Sequence, residues 1–142
     1  MKVQVINKSD NDLPNYETIA SAGCDVRSTH GAHIGPGLSC LIKTGLYVEI
    51  PIGYEIQIRP RSGLALKKQV TVLNTPGTID ADYRGEIGVI IINHGLGPVS
   101  LGKGERIAQL VLNKVEQIKW ESVLALSDTS RGDGGFGSTG KK

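Results

Sequence analysis

Apolar and polar residues alternate along much of this chain with the period of a strand. Residues Tyr54–Arg59 are the clearest case, with Ile56 and Ile58 on one face and Glu55, Gln57 and Arg59 on the other. Residues 1–7 repeat the pattern, setting Val3 and Val5 against Lys2 and Gln4. Residues 41–50 read as a strand region broken at Gly45, and Val99–Leu101 and 106–115 as two more strands around Gly102-Lys103-Gly104. Residues 70–73 and 87–92 are strand-like and flank 74–86, which predicts a hairpin with an elaborate tip. Residues 118–124 are a candidate last strand. The Gly-rich stretch 30–36 and Pro51-Ile52-Gly53 read as turns, and 8–15 as a loop. Pro60 ends one strand, and Ser62 suits the N-cap of a short helical turn through Leu66. About eight to ten short strands with frequent turn signals and at most one short helix predict an all-β sandwich, jelly roll or barrel.

Composition narrows the class. A chain of 142 residues suggests one domain with a real core. Its net charge of +2 gives no reason to expect nucleic-acid or membrane partners. Cys24 and Cys40 show no metal or redox spacing, and nothing at the N-terminus resembles a signal peptide, so a soluble, cytoplasmic protein is expected. From Ser127 onward the chain loses core-forming residues, so 1–126 is expected to be the folded domain and 127–142 a mobile arm.

Several motif-like strings carry nothing. GPVSLGKG lacks the Ser or Thr of a phosphate loop, and no helix follows it. GFGSTG at 135–140 has neither a strand before it nor room for a helix after it. Arg131-Gly132-Asp133 is a chance match to an adhesion tripeptide. His30 and His33 sit in a Gly-rich loop where solvation is the simpler reading than metal ligation.

Five segments hold complementary chemistry. The 74–86 tip packs Asp80, Asp82 and Tyr83 into a bend whose unpaired backbone groups can read the edge of a flat polar ligand, or it is an ordinary solvated loop. Ser62, Gly63, Arg59 and Arg61 suit a phosphate, or are an N-cap beside surface arginines. Asp25 is either a strand-end acid or a carboxylate able to hold a hydrated Mg²⁺. Gln109, between Ile107 and Val111, should be half-buried and bonded to a neighbouring strand, a water or a ligand. In the tail, Phe136 is the only Phe of the chain and is framed by Gly134, Gly135, Gly137, Ser138, Thr139 and Gly140. A ring on such an arm suits stacking on a flat ligand while small donors meet an anion.

Taken together these segments resemble the trimeric dUTPase family. The resemblance rests on AGCDV at 22–26, RPRSGLA at 59–65, GTIDADYRG at 77–85, GERIAQ at 104–109 and RGDGGFGSTG at 131–140, in the family's order. Val26 stands where Leu is common in the family and Cys24 where the residue varies, neither touching the chemistry, and Asp133 adds a negative charge near the phosphates. The resemblance implies a distorted jelly-roll β-barrel and a homotrimer with sites shared between chains. The 127–142 arm, able to span up to roughly 50 Å when extended, would reach a neighbour's site. It implies hydrolysis of dUTP to dUMP and pyrophosphate, with Mg²⁺ held by the triphosphate, keeping uracil out of DNA and supplying dUMP for thymidylate synthesis.

By that resemblance Asp80 stands beside the attacking water and the sugar 3′-OH, acting mainly by positioning, since aspartate is a weak base at neutral pH. Gln109 helps orient the water. Tyr83 packs under the deoxyribose and excludes a 2′-OH. Asn74 and the backbone at Gly77, Thr78, Ile79 and Gly88 pair with uracil. Arg61, Ser62 and Gly63 bind phosphates, Asp25 the metal through water, and Arg131, Phe136, Gly137, Ser138 and Thr139 close the lid. A dCTP deaminase on the same fold would need a catalytic Glu and a hairpin without the Asp80–Tyr83 pair.

Overall fold

The computed structural model describes residues 1–135, and among them all strand pairing is antiparallel. In chain order the elements are β1 (Gln4–Asn7), β2 (Cys24–Arg27), β3 (Ala32–Ile34), β4 (Ser39–Lys43), β5 (Leu46–Glu49), β6 (Tyr54–Arg59), α1 (Ser62–Lys68), β7 (Val70–Val72), β8 (Gly77–Ile79), β9 (Gly88–Asn93), β10 (Val99–Leu101) and β11 (Arg106–Lys114). They form a four-stranded sheet in the order β2-β11-β6-β8, a three-stranded sheet β4-β9-β7, and the pairs β1-β5 and β10-β3. This is the jelly-roll-like, nearly all-β architecture that the alternation predicts.

The core between the sheets is built from β-branched and other aliphatic residues. Val26, Ile42, Val70, Val72, Ile87, Val89, Ile91 and Ile107 are each at most 1% exposed, and no aromatic residue is fully buried among the described residues. Branched side chains fill a pleated, half-buried surface well, which is why a chain so poor in aromatics still closes a core. Among the described residues three polar side chains are buried, and each is hydrogen-bonded. Ser28 Oγ donates to the Gly102 carbonyl at 2.7 Å. Asn93 Nδ2 donates to the carbonyls of Ile34 and Gly97 at 2.9 and 2.8 Å, and its Oδ1 accepts the Gly95 N–H at 2.8 Å. Thr44 Oγ1 donates to the Ile87 carbonyl at 2.6 Å.

The structure corrects several expectations. The helix runs Ser62–Lys68, two residues past Leu66, with Arg61 at the N-cap and no side-chain cap, so Ser62 is its first helical residue. Gln69 ends it in the left-handed conformation (φ 54°). The Gly-rich 30–36 stretch contains β3. Residues 118–124 form no strand. Trp120 and Leu124 there are 85% and 108% exposed, since nothing in the described chain packs over them. In β1 every residue is exposed, so its alternation finds only β5 as a partner.

The hairpin is real but divided. β7 and β9 pair from Val70↔Asn93 to Val72↔Ile91, with a last bond from the Leu73 N–H to the Ile90 carbonyl at 2.8 Å. Beyond it the strands part. β8 crosses to the other sheet and pairs with β6, Ile79 opposite Ile56 and Gly77 opposite Ile58, while Gly88 stays on β4 opposite Lys43.

Candidate active site

Residues Asp25, Gln109 and Arg59 lie side by side across β2, β11 and β6. Their neighbours in the next row, Cys24, Leu110 and Ile58, face the core, so by the two-residue period the polar row is on the sheet's outer face. Gln109 is half-buried as expected, yet no side-chain hydrogen bond to it is found among the described residues. Its amide is therefore available to water or a ligand. Gly23 lets β2 approach β11 closely, since a Cβ there would stand 3.0 Å from Val111 Cγ2 and 3.3 Å from the Leu110 carbonyl.

Asp25 is the anchor of this face. Its side chain is 11% exposed; Oδ1 accepts from Arg61 Nε at 3.0 Å and Oδ2 from Arg106 NH1 at 3.2 Å. Arg61 NH1 also donates to the Arg106 carbonyl at 3.2 Å, and Arg106 reaches Glu17 at 3.1 Å. The carboxylate thus holds the Arg61 guanidinium against β2 and β11, while Ser62 and Gly63, next in the chain at the start of α1, lie open to solvent. It also bears on metal. With each oxygen facing a guanidinium, Asp25 fits a role through an ion's bound water rather than direct ligation. No cluster of His, Cys, Asp or Glu able to hold an ion occurs among the described residues. The parts sequence reasoning missed are Arg106 and Glu17. Arg106 stands inside the fourth segment, but only the fold shows that it meets Asp25.

A second ion pair braces the same corner. Lys68 Nζ, in the last turn of α1, lies 2.9 Å from Glu105 Oε1, and Glu105 Oε2 accepts the Gly102 N–H at 2.8 Å. Burial pushes the Glu105 carboxyl up. The Gly102 N–H, Lys68 and Arg61 together outweigh that and hold it below its ordinary value. A carboxylate depressed in the folded state contributes stability above its unfolded pKa and loses it as pH falls through the folded value. Glu105→Gln is therefore expected to cost about 1 kcal/mol near neutral pH, a modest figure because the pair is partly solvated. In denaturant melts the gap to wild type should close below about pH 4. A gap that persists in acid would show that the carboxylate's charge is not what matters.

At the hairpin tip Asn74, Thr78, Asp80 and Tyr83 are exposed, and Gly77 and Ile79 are buried. The Asn74 amide lies over Gly77: a Cβ there would come within 3.2 Å of Asn74 Nδ2 and 3.4 Å of Ile58 Cβ. Tyr83 folds back over Gly85, where any Cβ would collide with its ring, and its hydroxyl donates to the Glu86 carbonyl at 3.0 Å. Arg84 NH1 donates to the Ala81 and Tyr83 carbonyls at 2.7 and 3.0 Å, holding the bend. Gly88 makes room for Leu41, whose Cδ1 would lie 2.6 Å from a Cβ.

One chain does not bring all these groups together. Gln109 is opposite Arg59 on one side of β6, and Ile79 is opposite Ile56 on the other. Strand rise and spacing then put Asp80 and Gln109 about 15 Å apart, too far to share one water. Asp80 instead opens onto a groove of about 1110 Å³ bounded by Glu49, Pro51 to Glu55, Arg84 and Val115 to Gln117, which takes in neither Asn74, Tyr83 nor Arg61. Arg131 bonds within its own segment, Nε to the Gly134 carbonyl at 2.9 Å. Phe136, Gly137, Ser138 and Thr139 lie outside the described residues. No helix among the described residues is long and apolar enough to cross a membrane.

The comparisons agree with one another. The dUTPase family profile matches residues 9–140. A deoxyuridine 5′-triphosphate nucleotidohydrolase of Bdellovibrio bacteriovorus is 52% identical over 143 aligned positions, covering 99% of this chain and 96% of its own. A dUTPase variant of Staphylococcus bacteriophage 80alpha, solved with dUpNHpp, superposes with a TM-score of 0.89 at 29% identity over 98% of each chain. A dUTPase variant of S. aureus phage phi11, described with a structural Mg(II) ion, has the same fold at a TM-score of 0.82 and 24% identity, over 90% of this chain and 100% of its own. With the motif residues disposed on this fold as described, the chain belongs to the dUTPase family of enzymes.

Proposed function

We propose that this protein hydrolyses dUTP to dUMP and pyrophosphate at sites formed where three identical chains meet. Its product would feed thymidylate synthesis, and removal of dUTP would keep uracil out of DNA. The observation that carries the reading is the divided hairpin. Past the Leu73–Ile90 bond the ladder opens, leaving the Gly88 edge of β9 without a β7 partner and Asn74 braced over Gly77. Such an opening offers backbone donors and acceptors to a flat base. Uracil would be read by Asn74 and the backbone at Gly77, Thr78, Ile79 and Gly88. Cytosine would leave a buried group unpaired, at about 1–3 kcal/mol for each one. Thymine would be kept out by its methyl.

The separation of Asp80 from Gln109 supports the shared site. A water in line with the α-phosphorus would be held by Asp80 of one chain and Gln109 of another, the phosphates by the Arg61, Ser62 and Gly63 group that Asp25 braces. Mg²⁺, when carried in on the triphosphate, neutralises and orients the phosphate oxygens. Asp25 would meet it only through water. The exposed apolar residues of 118–126, Trp120 and Leu124 among them, favour a further chain covering them.

Residues 127–142 would close the site as an arm, Arg131, Ser138 and Thr139 meeting phosphates and Phe136 stacking on the base. Pyrophosphate release measured with dUTP, dTTP, dCTP and UTP tests the activity, and rates comparable across the four nucleotides would refute the base reading. Truncation after Leu126 is expected to leave the oligomer intact and to lower kcat/KM by about a hundredfold. An unchanged kcat/KM would remove the arm from the mechanism.

A further inference from the structure

We infer that Glu86, gripped by the corner between β4 and β5, is the positioning residue that fixes Tyr83 and so sets the discrimination between deoxyribose and ribose. The inference rests on the reading of Tyr83 as the wall beneath the sugar. A wall excludes one hydroxyl only if it cannot give by a fraction of an ångström. Tyr83 is 43% exposed, so packing alone does not fix it. Its restraints are the close approach over Gly85 and the hydrogen bond from its hydroxyl to the Glu86 carbonyl at 3.0 Å. That carbonyl is as fixed as the backbone that carries it.

The backbone is held from one place. Glu86 Oε1 accepts the Gly45 N–H at 2.9 Å, and Glu86 Oε2 lies 3.7 Å from Lys43 Nζ. One residue on, the Ile87 carbonyl accepts from the buried Thr44 hydroxyl at 2.6 Å, and the Ile87 N–H donates to the Leu46 carbonyl at 2.8 Å. Gly45 is itself built in. It has a φ of 72°, a Cβ on it would meet Ser9 Cβ at 2.8 Å, and its carbonyl accepts the Lys8 N–H at 2.8 Å. Residues 43–46 belong to none of the five motif segments, and Glu86 falls just beyond the third. The corner therefore grips the peptide that carries the Glu86 carbonyl from both sides, through the Glu86 carboxylate before it and the Ile87 N–H and carbonyl after it.

The test is the ratio of kcat/KM for dUTP to that for UTP in the full-length enzyme. Glu86→Ala is expected to lower the ratio by about threefold to tenfold, the worth of one neutral hydrogen bond in positioning. Glu86→Gln keeps an oxygen that can accept from Gly45 and should retain most of the ratio. Tyr83→Phe removes the hydroxyl's bond to the Glu86 carbonyl outright, whereas Glu86→Ala keeps that carbonyl and loses only its side-chain brace, so Tyr83→Phe should lower the ratio at least as much. Tyr83→Ala should lose most of the discrimination. A wild-type ratio in Glu86→Ala, with Tyr83→Ala relaxed, overturns the role of Glu86 alone, whatever Tyr83→Phe shows. A wild-type ratio in Tyr83→Ala overturns the reading of Tyr83 and the inference with it. Should Glu86→Ala not fold, Tyr83→Phe, which deletes a single oxygen, decides the matter.

Discussion

Asp80→Asn is expected to lower kcat for dUTP by about a thousandfold while leaving the Kd for dUpNHpp within about threefold of wild type. Asp80 follows β8 directly and is exposed, and no side-chain hydrogen bond to it is found among the described residues. Both carboxylate oxygens are thus free to hold a water. Its backbone carbonyl accepts the Tyr83 N–H at 3.2 Å, so the turn that places the side chain does not depend on the carboxylate. Asparagine keeps the shape, loses the charge, and turns one acceptor into a donor. A water aimed by that amide would present the wrong lone pair to phosphorus, and the negative charge that draws its proton away would be gone. Binding should survive because base, sugar and phosphates are held by other residues. Single-turnover rates with dUTP and calorimetry with dUpNHpp separate the two effects. Turnover within tenfold of wild type would remove Asp80 from the chemistry, and lost analogue binding would make it a binding residue instead.

Much of the fold could be read from alternation, and the failures have physical causes. β6 alternates over a long enough stretch to show its period, and β9 shows itself as an apolar run between turn signals, one residue out of step with the 87–92 reading. β3 and β8 are hidden by glycine turn signals, Gly31 and Gly35 around the one and Pro76-Gly77 at the start of the other. The crossing of β8 to β6 could not be seen, because hairpin signals are local and the β6 partner is distant in sequence. Residues 118–124 misled for a different reason. Apolar side chains state that a segment will be covered, not by what, and here the described chain leaves them exposed.

The site was legible in its residue types and less so in its connections. Gln109 was expected to be half-buried, and it is. The resemblance points Asp25 toward metal-bound water, while its direct partners are Arg61 and Arg106, 36 and 81 residues away. Nothing local marks such a pair; only the register of β2 against β11 and the return of the chain after β6 bring the charges together. Gly85 gave a turn signal, while its closer duty, to leave space for the Tyr83 ring, depends on a rotamer that no sequence pattern displays.

Mixing Asp80→Asn with Gln109→Ala is expected to restore activity that neither variant has. Each alone should keep less than about one-twentieth of wild-type kcat. Co-expression with different tags, and isolation of the mixed oligomers, puts both kinds of chain around one axis. If a site takes Asp80 from one chain and Gln109 from the next, a site whose Asp80 comes from the Gln109→Ala chain and whose Gln109 comes from the Asp80→Asn chain is complete. In each trimer that holds both kinds of chain, one of the three sites is complete, so about a third of wild-type activity should return. If both groups came from the same chain, every site would lack one of them and no activity would return. The strand register already points to the first case, since the β6 strand holds the two residues on opposite flanks and offset along its length. Complementation therefore tests the geometry directly: a mixture no faster than its parents would show that Asp80 and Gln109 do not complete a site between neighbouring chains.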